Sequence, residues 1–526
     1  MFTKTYEQRL EKLGAFEISS SMLKLAKNNE KHNSFLNAGR GNPNWINTQA
    51  RLAFTRIMEF GVEESRRTTN VGNLAGYTTL RGIGKRFEEF LKPDREVDIF
   101  LQSAIIYCKK TFGMDEDALV KELTDAVIGN NYPVPSRCLV NIEKILNAYL
   151  ESALYNGVKL ADQTLVFPTE GGTAAMCYIF DALKHNGLIN AGEKIAINTP
   201  IFTPYIQIPH LTGYEMIEID LYSTEESNWH IPAKEIEKLE DPTIKAFFLV
   251  NPSNPGSHAL NPATLDRIAA IVKKRKDLII ITDDVYGTFV KGFQSVYSVA
   301  PYNTLLVYSF SKLYGVTGWR TGLIAMNKNN VFDDLLKKLP DEKLKELDSD
   351  YSIVTLEPRK LSFVERICAD SRSVGLYHTS GLSTPQQAMM ALMSLTHLLC
   401  NEDAYIEASN KIVEGRYHDL YSTLGVKEDN DRTNAKYYCL IDIYQIAERV
   451  YDKDFSLWMQ KNFEEIDFLL RLAAEDGVVL MEGLGFSATP GTLRVSQANL
   501  PDDAYRRIAK RVLQLLGEYY DEYVKQ

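Results

Sequence analysis

The segment from Asp162 to Gly322 alternates short apolar runs with stretches of helical periodicity, and this alternation constrains the fold more than any other feature. Strands that alternate with helices form βαβ units, whose strands lie parallel in one sheet. We therefore predict an α/β fold with a mainly parallel sheet. The predicted strands are 164–167, 194–197, 245–250, 278–282 and 305–308.

Residues suited to chemistry follow each predicted strand, where ligands bind in open α/β sheets. After the strand 305–308 the chain reads SFSKLYGVTGWRTG, which places Lys312 on a turn of small residues. Ser309 and Ser311 offer hydroxyls to a phosphate, and Arg320 offers a planar two-point fork. A lysine that forms a Schiff base needs such an open approach beside cationic groups. The alternative is an ordinary exposed lysine in a Gly/Ser loop.

The pattern SxSKxxGxxGxRxG resembles the cofactor-lysine signature of the class I aminotransferases, which are fold-type I pyridoxal 5'-phosphate (PLP) enzymes. The resemblance implies PLP as the cofactor, bound through Lys312. It also implies a fold-type I PLP-dependent transferase fold, with a large domain and a smaller α+β domain. We predict an N-terminal arm with part of the small domain and an inserted segment at 1–135, the large PLP-binding domain at 136–375, and the C-terminal small domain at 376–526.

A glycine pair opens the helix that follows the strand 164–167. Gly171 and Gly172 allow backbone amides to approach a phosphate, and Thr173 adds a hydroxyl at a helix N-terminus of partial positive charge. We predict that these residues bind the cofactor phosphate. Gly and Thr are common at helix N-termini, so a tight helix entry is the alternative.

Two further strand ends carry residues that the resemblance assigns to the cofactor ring. Asn254, in the sequence NPSNPG, would hydrogen-bond the ring hydroxyl and touch the substrate. Asp283 would pair with the ring nitrogen and Tyr286 would donate to the ring O3′. A buried carboxylate at a strand end must be paired, and a protonated pyridine is a suitable partner. The alternatives are a plain loop around Asn254 and an exchange of roles between Asp283 and Asp284.

The resemblance gives roles to one aromatic and one basic residue near other strands. Phe202 would stack on the cofactor ring, which adds roughly 0.5–1.5 kcal/mol beyond area burial. Arg494 would clamp the α-carboxylate of the substrate with its two-point fork. A core phenylalanine and a structural ion pair are the respective alternatives.

Three segments exceed the pattern of ordinary aminotransferases, at 37–45, 98–135 and 334–372. Together they resemble the aspartate 4-decarboxylases, relatives that convert L-aspartate to L-alanine and carbon dioxide. This resemblance implies β-decarboxylation of L-aspartate with a side aspartate aminotransferase activity. The alternative is an aspartate or related class I aminotransferase with insertions.

The same resemblance suggests four additional contacts. In aspartate aminotransferases the partner subunit sends a tyrosine from just before the turn 76–81 to the phosphate; residues 71–75 contain no tyrosine, and Tyr132 would replace it. We expect Arg40 and Arg372 to border the pocket for the β-carboxylate without both gripping it directly, and the resemblance matches Gly113 to a substrate contact. Tyr132 packing on neighbouring prolines and ordinary surface arginines are the alternatives.

Composition excludes several classes of function. Lysine and arginine total 59 against 69 acidic residues, a net charge of −10, which disfavours nucleic acid or an anionic membrane as a partner. A PLP-sensing regulator is disfavoured because neither end carries a basic helix-turn-helix pattern. The N-terminal segment is charged and has no apolar stretch of the kind found in signal peptides, which predicts a cytoplasmic protein. Six scattered cysteines without a CxxC pair predict neither a metal site nor a disulfide framework.

Fold-type I enzymes pair their subunits so that each site draws residues from both chains. We therefore expect a homo-oligomer, at least a dimer. Resemblance to the decarboxylases extends this expectation to a larger assembly, commonly a dodecamer. L-Aspartate is the expected small-molecule partner.

Overall fold

A computed structural model describes residues 4–10, 13, 15–29, 31, 35–207, 210, 215–376, 381–400 and 403–525. The N-terminal part is mostly helical. Its helices are α1 (Lys4–Leu10), α2 (Ala15–Lys27), α3 (Thr48–Thr68), α4 (Ile83–Phe90), α5 (Glu96–Phe112), α6 (Glu116–Ile128) and α7 (Val140–Leu154). Its short strands are β1 (Leu36–Asn37), β2 (Asn70–Val71) and β3 (Leu74–Ala75).

The middle of the chain alternates strands and helices, as the sequence predicts. The elements are β4 (Thr164–Thr169), α8 (Gly172–His185), β5 (Lys194–Thr199), α9 (Thr203–Gln207), β6 (Ile217–Tyr222), α10 (Ala233–Glu237), β7 (Ile244–Val250), α11 (Pro262–Lys274), β8 (Ile279–Asp283), α12 (Val296–Val299), β9 (Thr304–Ser309), β10 (Gly322–Asn327), α13 (Val331–Leu336), α14 (Asp341–Tyr351) and α15 (Phe363–Asp370).

The C-terminal part mixes helices with short strands. The elements are α16 (Thr384–Leu398), α17 (Ala404–Leu424), β11 (Tyr438–Asp442), α18 (Ile443–Val450), α19 (Lys453–Asn462), α20 (Glu465–Ala474), β12 (Val478–Val479), β13 (Met481–Glu482), β14 (Thr492–Ser496) and α21 (Asp502–Val524).

A seven-stranded sheet, in the order β4-β10-β9-β8-β7-β5-β6, forms the centre of the molecule. Strand β10 runs antiparallel to β4 and β9, and the other pairings are parallel. All five predicted strands are present. Buried on both faces, these strands read as continuous apolar runs, which is why the sequence revealed them. The α/β fold with a mainly parallel sheet is thereby confirmed.

Two strands of this sheet were not predicted. Edge strand β6 is partly exposed and reads IEIDLY, a mixed pattern that does not stand out as apolar. Strand β10 returns from the Lys312 loop, so its first residue, Gly322, lies at the same edge of the sheet as the ends of β4 and β9. This return brings the end of the lysine loop back to the edge where ligands bind.

A second, smaller core combines the two ends of the chain. Strands β11, β14 and β13 form an antiparallel sheet, and β1 pairs in parallel with β12. The buried side chains of this core come from both termini: Leu10, Ile18, Met22, Leu469, Ile508 and Leu516. This agrees with a small domain that uses both ends of the chain, although the boundaries near 135 and 375 stay predictions.

The segment 98–135 folds into most of α5 and all of α6, two helices packed beside α3. The guanidinium of Arg56 on α3 donates to both carboxylate oxygens of Asp98 at 2.9 Å. It also lies 3.6 Å above the ring of Phe90, which covers the pair. A buried, bidentate and fully hydrogen-bonded pair of this kind fixes the position of the helix on which it lies.

No helix within the described ranges is long and apolar enough to cross a bilayer. The six cysteines form no disulfide with one another in the described part of the chain, and four of them are buried. Groups of His, Cys, Asp or Glu able to hold a metal ion do not occur among the residues that the structure describes.

Candidate active site

A cavity of about 460 Å³ opens at the carboxyl edge of the large sheet. It gathers most of the predicted site residues from segments far apart in the chain. Those that line it are Arg40, Gly172, Thr173, Phe202, Asn254, Asp283, Tyr286, Ser309, Ser311, Lys312, Arg320 and Arg494. Gly171 lies directly behind this lining, against Arg320.

Lys312 extends from the turn after β9 into the cavity. Its Nζ donates a 3.2 Å hydrogen bond to the carbonyl oxygen of Gly41, and its side chain is half-buried. The turn is anchored by Gly315, where a Cβ atom would lie 1.9 Å from the carbonyl oxygen of Trp45. The amine therefore lies within the cavity, and no carboxylate of the described residues accepts a hydrogen bond from it.

Asp283 ends β8 and faces the same space. The hydroxyl of Tyr205 donates to its Oδ2 at 2.8 Å, and the amide of Val285 donates to its Oδ1 at 3.2 Å. Burial raises the pKa of Asp283 to about 6, although these hydrogen bonds and the charge of Lys312 oppose the shift. A cation placed against this carboxylate would offset the cost of burying it.

The neighbouring Asp284 points elsewhere. It is fully buried, does not line the cavity, and accepts a 2.5 Å hydrogen bond from the hydroxyl of Thr282. Burial raises its pKa to about 7. The geometry thus favours Asp283, rather than Asp284, as the carboxylate available to a ligand.

Close backbone approach shapes one end of the cavity. Gly171, at φ 88°, precedes α8, and a Cβ atom there would lie 2.6 Å from Nη2 of Arg320. A Cβ atom on Gly322 would lie 2.7 Å from the carbonyl carbon of Gly171. Only glycine fits at both positions. Because neither residue has a side chain, the backbone amides and the guanidinium of Arg320 border open space.

Hydroxyls complete this end of the cavity. Oγ of Ser309 lies 2.9 Å from Oγ of Ser311, and Thr173 stands in the first turn of α8. Arg320 donates to the carbonyl oxygens of Thr317 and Glu170 and pairs with no carboxylate among the described residues. Amides at a helix N-terminus, hydroxyls and a guanidinium are the donors that a phosphate requires.

Arg494 lies at the other end of the cavity and is only 2% exposed. Its Nη1 donates to Oδ1 of Asn254 at 3.1 Å, and its Nη2 donates to the carbonyl oxygen of Gly39 at 2.5 Å. Its Nε has no hydrogen-bond partner, and no carboxylate of the described residues pairs with it. Burial lowers its pKa. The alternative interpretation, a structural ion pair, would need a carboxylate beside Arg494, and none of the described residues provides one.

Phe202 and Tyr205 form an aromatic wall. Their ring centroids are 5.3 Å apart in an edge-to-face arrangement, and Phe202 also packs against Met481 and Phe486 of the smaller core. Tyr205 was not predicted. Its only sequence signal is its position three residues after Phe202, on the short helix α9.

Tyr438 is a second site residue that the sequence did not reveal. It begins β11, and its hydroxyl lies 3.1 Å from that of Tyr286. The guanidinium carbon of Arg494 lies 4.3 Å from the centre of its ring. No motif surrounds it, since KYYCLID reads as an ordinary strand; only the pairing of β11 with β14 brings it to the site.

Three predicted residues lie outside the cavity of this chain. Tyr132 is 71% exposed, and Gly113 directly follows α5, with open space where a Cβ atom would lie. Arg372 donates to Glu170 at 2.5 Å and to the hydroxyl of Tyr178 at 2.9 Å. Arg40 lines the cavity with an exposed side chain. The roles of these four residues, like those of the residues that line the cavity, stay predictions.

The residues present fit PLP. One cavity brings together the amine of Lys312, the buried carboxylate of Asp283, a cradle without side chains that carries phosphate donors, and the guanidinium of Arg494. Each matches one part of the cofactor or of an amino-acid substrate: aldehyde, ring nitrogen, phosphate and carboxylate. Fold and site together define a fold-type I PLP-dependent enzyme.

Comparison with known proteins identifies the family. Residues 130–512 match the family model described as aminotransferase class I and II, so the chain belongs to this family, whose members depend on PLP. The chain is 42% identical, over 98% of both sequences, to the bifunctional aspartate aminotransferase and L-aspartate beta-decarboxylase of Pseudomonas sp..

Solved structures show the same fold. A single mutant of Thermus thermophilus aspartate aminotransferase superposes with a TM-score of 0.61 at 16% identity, covering 98% of this chain and all of that one. The aromatic aminotransferase from Pyrococcus horikoshii OT3 has a TM-score of 0.58 at 17% identity, covering 95% and 99%. At these identities the likeness concerns the fold alone.

Proposed function

We propose that this protein is a PLP-dependent aspartate β-decarboxylase that converts L-aspartate to L-alanine and carbon dioxide, with a secondary aspartate aminotransferase activity. One observation carries the proposal: the likeness to the bifunctional Pseudomonas enzyme runs through 98% of both chains, including the three segments that ordinary aminotransferases lack. The cavity supports it with an amine and an unpaired, buried guanidinium in one enclosed space.

When bound, PLP supplies an aldehyde that condenses with amines and a ring that accepts an electron pair. Lys312 would bind the cofactor and then act as the general base, its Nζ taking and returning the proton at Cα of the substrate. Asp283 would stay ionised and hold a proton on the ring nitrogen, while Tyr205 orients its carboxylate. Tyr286, whose hydroxyl donates to that of Tyr438 at 3.1 Å, would turn this donor to the ring hydroxyl when the cofactor binds, and Phe202 would lie against the ring face.

The phosphate would bind at the side-chain-free end of the cavity. Gly171, Gly172 and Thr173 would supply amides and a hydroxyl at the N-terminus of α8, where the helix dipole favours an anion. Ser309, Ser311 and Arg320 would complete the set of donors. We assign Tyr132 to the phosphate of a partner subunit, because it is exposed in its own chain.

The α-carboxylate of the substrate would bind Arg494 and Asn254. A carboxylate accepts two parallel hydrogen bonds from a guanidinium, and no carboxylate of the described residues already pairs with that of Arg494. This clamp fixes Cα beside Lys312, so that proton transfer occurs within one enclosed site.

The β-carboxylate has to be lost, so an ion pair that held it tightly would stabilise the ground state and slow the reaction. Arg40 lines the cavity with an exposed side chain, and Arg372 is engaged with Glu170 and Tyr178. We propose that both border the β-carboxylate pocket without gripping the group together. Gly113, near the surface of the inserted helices, would touch the substrate from a neighbouring subunit.

Sharing of sites between chains is part of the proposal. We propose a homo-oligomer, at least a dimer and up to the dodecamer expected by resemblance, in the cytoplasm. Sedimentation analysis would measure the assembly. A mixed oligomer of Lys312→Ala and Tyr132→Phe chains that regained activity would support the sharing of Tyr132 between subunits.

Incubation with L-aspartate as the only substrate tests the function. A decarboxylase releases carbon dioxide and alanine over many turnovers, whereas an aminotransferase stops after one half-reaction unless a keto acid is supplied. Sustained alanine formation is the expected result. A single equivalent of oxaloacetate per site, without carbon dioxide, would instead identify an aspartate aminotransferase with insertions.

A further inference from the structure

Tyr438 occupies a position in the cavity that the roles above leave unused. Strand β11 pairs antiparallel with β14, with Tyr438 opposite Ser496 and Leu440 opposite Arg494. Alternation along each strand places Tyr438 and Arg494 on the same face of this small sheet. The chain therefore holds a phenol beside the guanidinium that we assign to the substrate carboxylate.

The hydroxyl of Tyr438 is enclosed. Tyr286 donates to it at 3.1 Å, and a Cβ atom on Gly41 would lie only 1.8 Å from it. Nζ of Lys312 and the hydroxyl of Tyr437 both donate to the carbonyl oxygen of the same glycine. Gly41 is thus the point where the lysine amine and the phenol meet, and its missing side chain makes room for the phenol.

The surroundings favour loss of the phenol proton. Burial raises the pKa of Tyr438, but the positive charges of Lys312 and Arg494 and the hydrogen bond from Tyr286 outweigh it and lower the pKa below its ordinary value. Tyr286 and Tyr437, which are equally buried, have a raised pKa. Tyr438 is the tyrosine of this cluster whose anion the site stabilises.

Loss of carbon dioxide leaves Cβ in need of a proton, so decarboxylation requires an acid near Cβ. Proton transfer at Cα alone does not require this acid. The other titratable groups that line the cavity have assigned tasks or hold their protons too tightly: Arg40, Tyr205, Asp283, Tyr286, Lys312, Arg320 and Arg494. Guanidinium groups do not release protons near neutral pH. Lys312 already has the task of taking and returning the proton at Cα. Tyr438 remains as the candidate acid, and the centre of its ring lies 4.3 Å from the guanidinium carbon of Arg494.

We propose that Tyr438 is a catalytic residue, the acid that delivers a proton to Cβ of the substrate as carbon dioxide leaves. The inference rests on the proposed function. In this step the bond between Cβ and Cγ breaks, its electron pair stays with Cβ, and Cβ forms a new bond to the proton from Oη of Tyr438. The phenolate lies beside the positive charges of Lys312 and Arg494 and recovers its proton from solvent water between turnovers, so one proton is consumed per carbon dioxide released.

The Tyr438→Phe variant tests the role, because it removes the acid and keeps the ring. We expect the rate of carbon dioxide release from aspartate to fall by about 100-fold or more, the usual contribution of a general acid. The single half-reaction that yields oxaloacetate uses proton transfer at Cα only, so it stays within about threefold of wild type. The product ratio therefore shifts toward oxaloacetate.

A titration of the cofactor-free protein provides a readout that is independent of turnover. Tyrosinate has a distinct ultraviolet absorbance, and wild-type protein is expected to show one tyrosine that ionises below the ordinary value for a phenol. The Tyr438→Phe variant is expected to lose this component. If the titration curves of the two proteins coincide, the inference fails whatever the activities are.

Two further variants serve as a second test and as a control. Gly41→Ala would displace the same hydroxyl without removing it, and it should shift the product ratio in the same direction. Tyr421→Phe is the matched control, since its hydroxyl donates to the carbonyl of Leu440 on β11 at 3.3 Å, outside the cavity. It should leave both reactions unchanged.

The outcomes separate the inference from the proposed function. Wild-type protein that releases no carbon dioxide from aspartate would refute the function, and with it the role of Tyr438. Wild-type protein that does release it, while Tyr438→Phe loses neither reaction or loses both equally, would refute the catalytic acid alone.

Discussion

Nη1 of Arg494 donates a 3.1 Å hydrogen bond to Oδ1 of Asn254, a residue 240 positions earlier in the chain. The contact joins β14 of the smaller core to the loop after β7 of the large sheet. Because the guanidinium is buried and has no carboxylate partner among the described residues, these two side chains form a ready site for an anion.

Arg494→Lys should weaken substrate binding, because an ammonium cannot reproduce the two-point contact. We expect kcat/KM for aspartate to fall by about 100-fold, in line with the cost of about 2–5 kcal/mol for breaking a buried charge pair. Steady-state kinetics measure it. Arg506→Lys, at an exposed pair with Asp419, is the control. An unchanged KM and kcat would remove Arg494 from the substrate site.

Gly322→Ala should reduce the affinity for PLP. The new Cβ atom would lie 2.7 Å from the backbone of Gly171, so the cradle has to shift. We expect the dissociation constant of the cofactor to rise by about tenfold or more, as for a clash that costs 1–3 kcal/mol. Fluorescence titration of the cofactor-free protein with PLP measures it.

Gly415→Ala provides the matched comparison, because it lies on α17 with no atom near its Cβ position. That change should leave cofactor affinity intact and stabilise the helix by up to about 1 kcal/mol. Equal affinities in the two alanine variants would contradict the close approach at Gly322.

Tyr205→Phe should move the acid limb of the pH profile. The hydroxyl of Tyr205 lowers the pKa of Asp283, so its removal raises that pKa further above about 6. Because the proposed function uses Asp283 as the anion, we expect activity to be lost at a higher pH on the acid side, by about one unit for a hydrogen bond to a charged group. A kcat/KM profile for aspartate checks this, and a shift to lower pH would contradict it.

The sequence revealed what depends on local pattern. The five buried strands were legible because β4, β5, β7, β8 and β9 carry continuous apolar runs. Glycines and hydroxyl residues around Lys312 formed a pattern too specific for an ordinary loop. Residues that follow such strands converge on one edge of the sheet, so most of the cavity lining could be named in advance.

Other parts of the site depend on tertiary pairing and left no local signal. Tyr438 enters the cavity only because β11 pairs with β14 next to Arg494. Tyr205 reaches Asp283 from a short helix that sequence periodicity does not reveal. Tyr132 is exposed in its own chain, so the role proposed for it depends on a partner subunit, which the sequence of one chain does not position.

Asp284→Asn should change the pH dependence of stability. Burial raises the pKa of Asp284 from 3.8 in the unfolded chain to about 7 in the folded protein. The protonated carboxyl therefore stabilises the folded state fully below pH 3.8, and this stabilisation is lost as the pH rises from about 3.8 through about 7. The variant cannot ionise, so its stability relative to wild type should increase over this range, by at most about 1.4 kcal/mol per pH unit. Urea unfolding at several pH values measures it; a constant difference would contradict the buried carboxyl.

Borohydride reduction of the PLP-loaded protein, followed by peptide mass spectrometry, tests the central claim most directly, because reduction makes the link between a lysine and the cofactor aldehyde permanent. We predict a phosphopyridoxyl group on Lys312, and none on that peptide in the Lys312→Ala variant. Modification of a different lysine, or none under conditions that saturate the site, would contradict the assignment of this cavity to PLP chemistry.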